Sequence, residues 1–378
     1  MIYLDNAATT FPKPRTVTTA SDTCLRLYSA NPGRAGHDLS LKASEMIYNC
    51  RKKVKTMFGA KSEDRVIFTL NCTAAINMVL KGVLHKGDHV ICSSLEHNAV
   101  IRPLNKLREF GIEYDVARVF TGDFDATVRA FEALIKKNTK MIICTHASNV
   151  FGVVLPIAQI GKLCRDYGLL FAVDCAQTAG VLEIDMQKMN IDYLCIAPHK
   201  GLYAPMGTGI LIANADIERT IIEGGTGSLS IRKSQPDFMP DKFESGTVNL
   251  SGIAGISAGI DFVESKKINA IYLSEMRHIL RCYDSMKRIK GVQLYTERPK
   301  SGFFVPVLSF NLKNQSSEEV GNRLNRFGIA VRPGLHCAPL AHETFGTEGN
   351  GTVRICPSVF TSSHDVDYFI GKIKLLTK

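Results

Sequence analysis

A lysine closes the apolar run Ile196-Ala197-Pro198-His199-Lys200-Gly201, and an earlier run, Leu169-Leu170-Phe171-Ala172-Val173, ends in Asp174-Cys175-Ala176-Gln177. An ammonium and a carboxylate placed where buried strands give way to loops are costly unless each meets a partner. Pyridoxal phosphate (PLP) supplies both partners. Its aldehyde condenses with a lysine amine, and its ring nitrogen stays protonated beside a carboxylate and so draws electrons from a bound substrate. On residues alone two plainer readings stay open, a snorkelling Lys200 and an Asp174 satisfied by backbone amides.

Other segments add to that chemistry. Asn71-Cys72-Thr73-Ala74-Ala75 follows a strand and opens a helix, where free N–H groups and the helix dipole favour a phosphate, with the Thr73 hydroxyl as a further donor. Asn71 or Thr73 acting only as a cap is the alternative. In Ser94-Leu95-Glu96-His97-Asn98, His97 is placed to lie on a cofactor ring and move protons, or to be a hydrogen-bonded structural residue. In Ser148-Asn149-Val150, Asn149 offers an amide to a cofactor or substrate oxygen, or closes an Asx-turn. Cys337 lies in a polar segment punctuated by Gly and Pro, beside His336 and near Arg332, whereas Cys92, Cys144, Cys164 and Cys195 sit in apolar runs. The thiolate is the nucleophilic form of cysteine, and cationic neighbours favour it. Cys356, in a strand pattern after Arg354, reads as structural.

The elements that must position these groups follow from hydrophobic patterning. Strands are expected at Arg65–Thr69, His89–Ser93, Met141–Thr145, Leu169–Asp174, Tyr193–Ile196 and Gly209–Ala213. Helices are expected between them at Ala74–Lys81, Val100–Phe110, Thr127–Lys136 and Pro156–Tyr167. The alternation predicts an α/β fold with a mostly parallel sheet under helices, and the chemical residues follow strand ends, where such sheets bind ligands. The pattern changes near Ser257. A helix through Tyr272–Lys287 leads to strands at Phe303–Phe310, Gly328–Arg332 and Val353–Cys356, and Ser362-Ser363-His364-Asp365 caps a last helix, Val366–Leu376. The division is a large cofactor-binding domain, 15–256, and a smaller α+β domain, 1–14 with 257–378, that carries Cys337. Gly224–Ser251 is too polar for core and too specific for a linker.

At 378 residues the chain can bury a sizeable core. Its formal net charge of +10 is scattered rather than run together, which points to anionic small molecules or protein partners and away from nucleic acid. The start, Met1-Ile2-Tyr3-Leu4-Asp5, lacks a basic region followed by a long apolar stretch, and no apolar run is long enough to span a bilayer. Eleven cysteines without a Cys-x-x-Cys pair fit neither a metal site nor a disulfide framework, and suit a reducing, cytoplasmic location.

Taken in order, these motifs resemble the class V, fold-type I PLP enzymes of the cysteine desulfurase and selenocysteine lyase family. The resemblance runs through Tyr3-Leu4-Asp5-Asn6-Ala7-Ala8-Thr9-Thr10, Asn71-Cys72-Thr73, Glu96-His97-Asn98, Ser148-Asn149, Asp174-x-x-Gln177, His199-Lys200, Phe243-Glu244-Ser245-Gly246-Thr247 and Arg332-Pro333-Gly334-Leu335-His336-Cys337. It implies PLP held by Lys200, with Asp174 on the ring nitrogen and His97 stacked on the ring. Gln177 and Asn149 would contact the phenolic oxygen or substrate, with Cys72, Thr73 and His199 around the phosphate. Gly246 and Thr247 would reach the phosphate of a second subunit, so the resemblance implies a homodimer with shared active sites. Arg354 would clamp the substrate carboxylate, a task suited to a bidentate guanidinium.

The implied reaction converts L-cysteine to L-alanine and leaves the sulfur as a persulfide on Cys337, from which a sulfur-acceptor protein would collect it. The same scaffold serves selenocysteine lyases and other class V aminotransferases or lyases, and an inactive PLP-fold scaffold in a sulfur relay is the reading furthest from these. Two departures stand out. Gly201 is an extra glycine directly after the lysine, and Leu335 stands where some relatives carry a further histidine. Residues 338–352 form a Gly-rich connection that is either ordered or mobile.

Overall fold

A computed structural model describes residues 1–33 and 36–377. In chain order its strands are β1 (Ile2–Tyr3), β2 (Val66–Thr69), β3 (His89–Ser93), β4 (Glu113–Ala117), β5 (Thr139–Thr145), β6 (Leu170–Asp174), β7 (Tyr193–Ile196), β8 (Gly209–Ala213), β9 (Val292–Leu294), β10 (Leu308–Leu312), β11 (Ile329–Ala330) and β12 (Val353–Ile355). Seven of them form the central sheet in the order β2-β8-β7-β6-β5-β3-β4. The pairs from β7 to β4 are parallel, and β8 runs antiparallel to both of its neighbours. The expected mostly parallel α/β sheet is present.

The strands read as nearly continuous apolar runs because both faces are covered. Successive residues of β5 show it: Ile142 packs into one buried cluster and Met141 and Ile143 into the other. β4 escaped sequence detection because it is an edge strand, Glu113-Tyr114-Asp115-Val116-Ala117, buried only at Ala117. The helices Arg15–Leu27 and Asp38–Phe58 both pack on Leu250–Lys266, and all three were missed by hydrophobic patterning.

A second core lies under the C-terminal part, where Leu4, Ile279, Phe310, Ile355 and Phe369 share a cluster. Here β9 and β12 flank β10, and β1 pairs with β11, which ties the N-terminus to this smaller unit. β10 begins at Leu308 rather than Phe303 because Pro306 offers no N–H to a ladder. The expected boundary between residues 256 and 257 lies within the helix Leu250–Lys266, which ends where Lys267 turns to φ +67°. The last helix, Ser363–Leu376, is capped as expected: Ser362 Oγ accepts from the Asp365 amide at 3.1 Å, and the Asp365 carboxylate accepts from the Ser362 amide at 2.8 Å. Residues 338–352 are partly helical, with Pro339–Phe345 docked by a Thr344 hydroxyl that donates to the Ser94 carbonyl at 3.0 Å. No described helix is long and apolar enough to cross a membrane.

Two glycines shape the loop after β7. A Cβ on Gly201 would meet the Ala179 carbonyl oxygen at 2.2 Å, so the unexpected glycine after Lys200 is required by close backbone approach. Gly259, in the helix Leu250–Lys266, sits against the Leu202 carbonyl, which a Cβ would meet at 2.0 Å. Gly259→Ala must therefore push the Lys200 loop away from the helix. The expected cost is about 1–3 kcal/mol, checked as a lowered thermal midpoint together with reduced turnover.

Candidate active site

The C-terminal ends of β2, β3, β5, β6 and β7 lead into one cavity of about 250 Å3. Asp174 ends β6, Lys200 follows β7, Thr73 opens the helix after β2, His97 follows β3 and Asn149 follows β5. Cys72, Gln177, His199 and Arg354 also line it, so most of the residues singled out from the sequence converge. The exceptions are Gly246, Thr247 and Cys337.

Asp174 is buried, and its Oδ1 accepts from the Ala176 amide at 2.9 Å and from Cys72 Sγ at 3.5 Å. Among the described residues no donor reaches Oδ2, which is left for a cation. Lys200 is half-buried and opens onto the cavity. Desolvation by the surrounding protein holds its pKa below the usual lysine value, against the pull of Asp174. A lysine so depressed is a better nucleophile and base than a solvated one.

At the start of the helix Cys72–Val83, Asn71 Oδ1 caps the Ala74 amide at 2.9 Å. The amides of Cys72 and Thr73 precede the first intrahelical bond, and Thr73 is an exposed residue that lines the cavity. Both readings of this segment hold at once: Asn71 is the cap and the remaining donors form an anion cradle. His97 is likewise double-purposed. Its Nδ1 accepts from the Ala99 amide at 3.0 Å, capping the helix Asn98–Arg108, while the ring lines the cavity. His199 meets the Thr9 hydroxyl through Nδ1 at 3.1 Å, and Lys13 Nζ fastens its carbonyl at 2.6 Å.

Gln177 and Asn149 are more committed than the sequence suggested. Gln177 Nε2 donates to the Ala7 carbonyl at 3.0 Å, and Asn149 Nδ2 donates to the His336 carbonyl at 2.8 Å. Arg354, only 1 % exposed, donates through Nη1 to the Asn149 carbonyl at 2.9 Å and through Nη2 to Asp5 at 2.8 Å. Its Nε–H is buried without a partner. A buried guanidinium with an unspent donor beside an open cavity is suited to an anionic ligand.

Arg332 and His336 also line the cavity. Sequence reasoning used them only as neighbours of Cys337. The signal was present in Arg332-Pro333-Gly334-Leu335-His336-Cys337, but the antiparallel bridge of Arg332 to Arg354 is a long-range contact.

Cys337 stands just outside. It is the one exposed cysteine, the other ten being free and buried. It borders a hollow of about 370 Å3 that shares the lining residues Thr73, His97 and Ala99 with the cavity, so the two adjoin. His336 and Cys337 both adopt left-handed φ, at 50° and 57°. Such strain in non-glycine residues costs about 1–3 kcal/mol each and persists only where surroundings enforce it. Here Asn149 holds the His336 carbonyl, and the Asn98 amide holds the Cys337 carbonyl at 2.7 Å.

Gly246 and Thr247 are exposed and lie elsewhere. Thr247 borders a separate hollow of about 340 Å3 with Leu70, Met78, Ile222 and Ile253.

The donor set fits PLP: an amine in Lys200, an available carboxylate oxygen in Asp174 and a helix N-terminus for the phosphate. The family model for aminotransferase class-V matches residues 2–369. A probable cysteine desulfurase from Methanothermobacter thermautotrophicus is 33% identical over 97% of this chain and 92% of its own length. The chain belongs to the class-V aminotransferase family, in its cysteine desulfurase branch. Among solved structures, the apo cysteine desulfurase of Thermococcus onnurineus NA1 matches with a TM-score of 0.91 at 30% identity, covering 100% of this chain and 94% of that one. The cysteine desulfurase CsdA of Escherichia coli matches at 0.87 and 25% identity, covering 99% and 94%.

The buried histidines of this family member make its stability depend on acid. Burial lowers His97 and His199 to about 4, His146 to about 3 and His336 to about 2. Each stays neutral in the folded chain and takes a proton in the unfolded one below about pH 6.5. Their stabilisation is therefore present above that pH and is lost as pH falls towards the folded values. Glu96 and Glu275, raised to about 8 by burial, oppose this above their unfolded values near 4.5. Burial also lowers His89, His278 and His342 and raises Asp192, so seven histidines stand against three carboxyls and leave a net proton uptake on unfolding. The thermal midpoint is expected to fall from pH 6.5 to 4.5, and His146→Gln should flatten that slope; a flat or rising midpoint would contradict it.

Proposed function

We propose that this protein is a PLP-dependent cysteine desulfurase that converts L-cysteine to L-alanine and captures the sulfur on Cys337. The observation that carries the reading is the one exposed cysteine on a hollow that adjoins the cavity of Lys200, Asp174 and Arg354. PLP bound by Lys200, Asp174 and the Cys72–Thr73 amides supplies an electron sink for the substrate α-carbon.

The chain's own groups do the rest. Arg354, steadied by Asp5 and the Asn149 carbonyl, holds the substrate carboxylate through its remaining N–H donors. Lys200 Nζ takes the α-proton and later returns a proton to the carbon skeleton. His97, with Nδ1 engaged as a cap, would lie against the bound cofactor as a neutral ring. The Cys337 thiolate attacks the substrate sulfur: a new S–S bond forms, the C–S bond breaks and the three-carbon skeleton leaves as alanine.

Gly246 and Thr247 fit a second subunit's cofactor phosphate in a homodimer. The exposed Leu70 and Ile222 beside Thr247 support that arrangement by leaving an apolar hollow for a second copy. The all-thiol cysteine content supports a cytoplasmic site of action. The deciding experiment incubates the purified protein with L-cysteine, measures L-alanine and maps the persulfide by mass spectrometry. One alanine per sulfur, with the adduct on Cys337, is the expected result; a keto acid product would overturn it.

A further inference from the structure

Two hollows meet on the outer surface between the helices Cys72–Val83 and Asn98–Arg108. The first has Cys337 on its edge together with Arg102, Lys81 and Lys106. The second, of about 530 Å3, shares Lys81 and Lys106 and adds Lys86 and Arg219. Its floor is apolar, made by Leu84, Leu107, Ile112 and the 61 % exposed Phe110.

The charge on this face is one-sided. All five cations are exposed. Lys106 pairs with Glu109 at 2.6 Å, and Arg219 donates to the Leu84 carbonyl. Lys81, Lys86 and Arg102 have no carboxylate partner among the described residues. A solvated basic face is ordinary on a chain of net charge +10. A basic rim around an apolar floor that runs to the one exposed thiol is not accounted for by charge alone.

We propose that this face docks the sulfur acceptor, and that the acceptor is a protein presenting a cysteine near acidic residues and one apolar side chain. The inference rests on the desulfurase reading. The apolar side chain fills the hollow at Leu107 and Phe110, carboxylates meet Lys81, Lys86 and Arg102, and the acceptor thiol arrives at Cys337. The helix Asn98–Arg108 sets the span: from Asn98, bonded to the Cys337 carbonyl, to Leu107 is about 14 Å at ~1.5 Å per residue. An extended acceptor segment crosses that distance in about four residues at ~3.3 Å each. The transfer is balanced without any further reagent. The acceptor thiolate attacks the outer persulfide sulfur and an S–S bond forms to it; the bond to Cys337 Sγ breaks, and Cys337 leaves as the thiolate while the proton stays with the transferred sulfur.

The test uses two synthetic peptides, each with one leucine four residues from one cysteine, the remaining positions being Asp/Glu in one and Lys in the other. Holoenzyme supplied with L-cysteine is expected to persulfidate the acidic peptide at least about tenfold faster than the basic one at low salt, with the preference fading as salt rises. In Lys81→Glu/Lys86→Glu the preference should vanish, and Phe110→Ser should slow the acidic peptide, while alanine formation with dithiothreitol stays unchanged in both. Equal rates for the two peptides, or a preference that survives the charge reversal, would overturn the docking face alone. Absence of a Cys337 persulfide in the wild type would overturn the desulfurase reading and the docking face with it.

Discussion

Lys200→Ala is expected to stop alanine formation from L-cysteine, with turnover lower by at least ~10²–10⁴-fold, the usual contribution of a positioned proton-transfer group. The visible absorbance that PLP acquires on linkage to the protein should be lost in the same variant. The two losses have one cause. Desolvation holds the Lys200 amine below its solution pKa, so near neutral pH a larger fraction is unprotonated than for a solvated lysine, while Asp174 limits the fall. Lys200→Arg separates charge from chemistry, since guanidinium keeps the charge but gives up no proton and condenses with no aldehyde. If Lys200→Arg matched wild type, the assignment of Lys200 as base would fail. Asp174→Asn provides the companion measurement. It keeps the hydrogen bond from Ala176 within reach and removes the charge, so a weakened hold on PLP with an intact fold would assign the carboxylate to the cofactor rather than to the loop.

The sheet was legible because its strands are apolar on both faces, and a charged residue at the end of such a run is conspicuous. Asp174 and Lys200 stand out for that reason, and β3, β6, β7 and β8 fall within a residue of where their patterns place them. β4 was not legible, since an edge strand half in solvent carries the polarity of a loop. Arg332 and His336 were visible only as residues near Cys337. Their place in the cavity depends on the C-terminal unit folding back so that Arg332 and Arg354 exchange backbone hydrogen bonds at 3.3 and 2.8 Å. Pairing of that kind leaves no periodic trace in a sequence. Asn149 illustrates the same limit at one side chain. Its type suggested an amide facing a ligand, whereas in the structure it braces a left-handed turn with its side chain and Arg354 with its backbone. Local type indicates what a residue can bond; the long-range fold decides which bond it makes.

Cys337→Ala should lower alanine formation from L-cysteine by two or more orders of magnitude while leaving PLP bound. The cavity walls are formed without the Cys337 side chain, which lies on the adjoining hollow, so its loss removes a nucleophile and not a cofactor ligand. The exposed position has a second consequence. A thiol outside the cavity must be brought to the substrate sulfur, and the strained turn at His336 and Cys337 sets how far it reaches. Asn149→Ala, which frees the His336 carbonyl, is therefore expected to cut the rate of persulfide formation more than it affects L-cysteine binding. Selenium leaves carbon more readily than sulfur and has less need of a thiolate partner, so selenocysteine should keep most of its turnover in Cys337→Ala. Equal losses on both substrates would show that Cys337 shapes the site instead of attacking the chalcogen. Unchanged turnover of L-cysteine would remove the persulfide from the mechanism, and with it the reason for the one cysteine that this chain leaves in solvent.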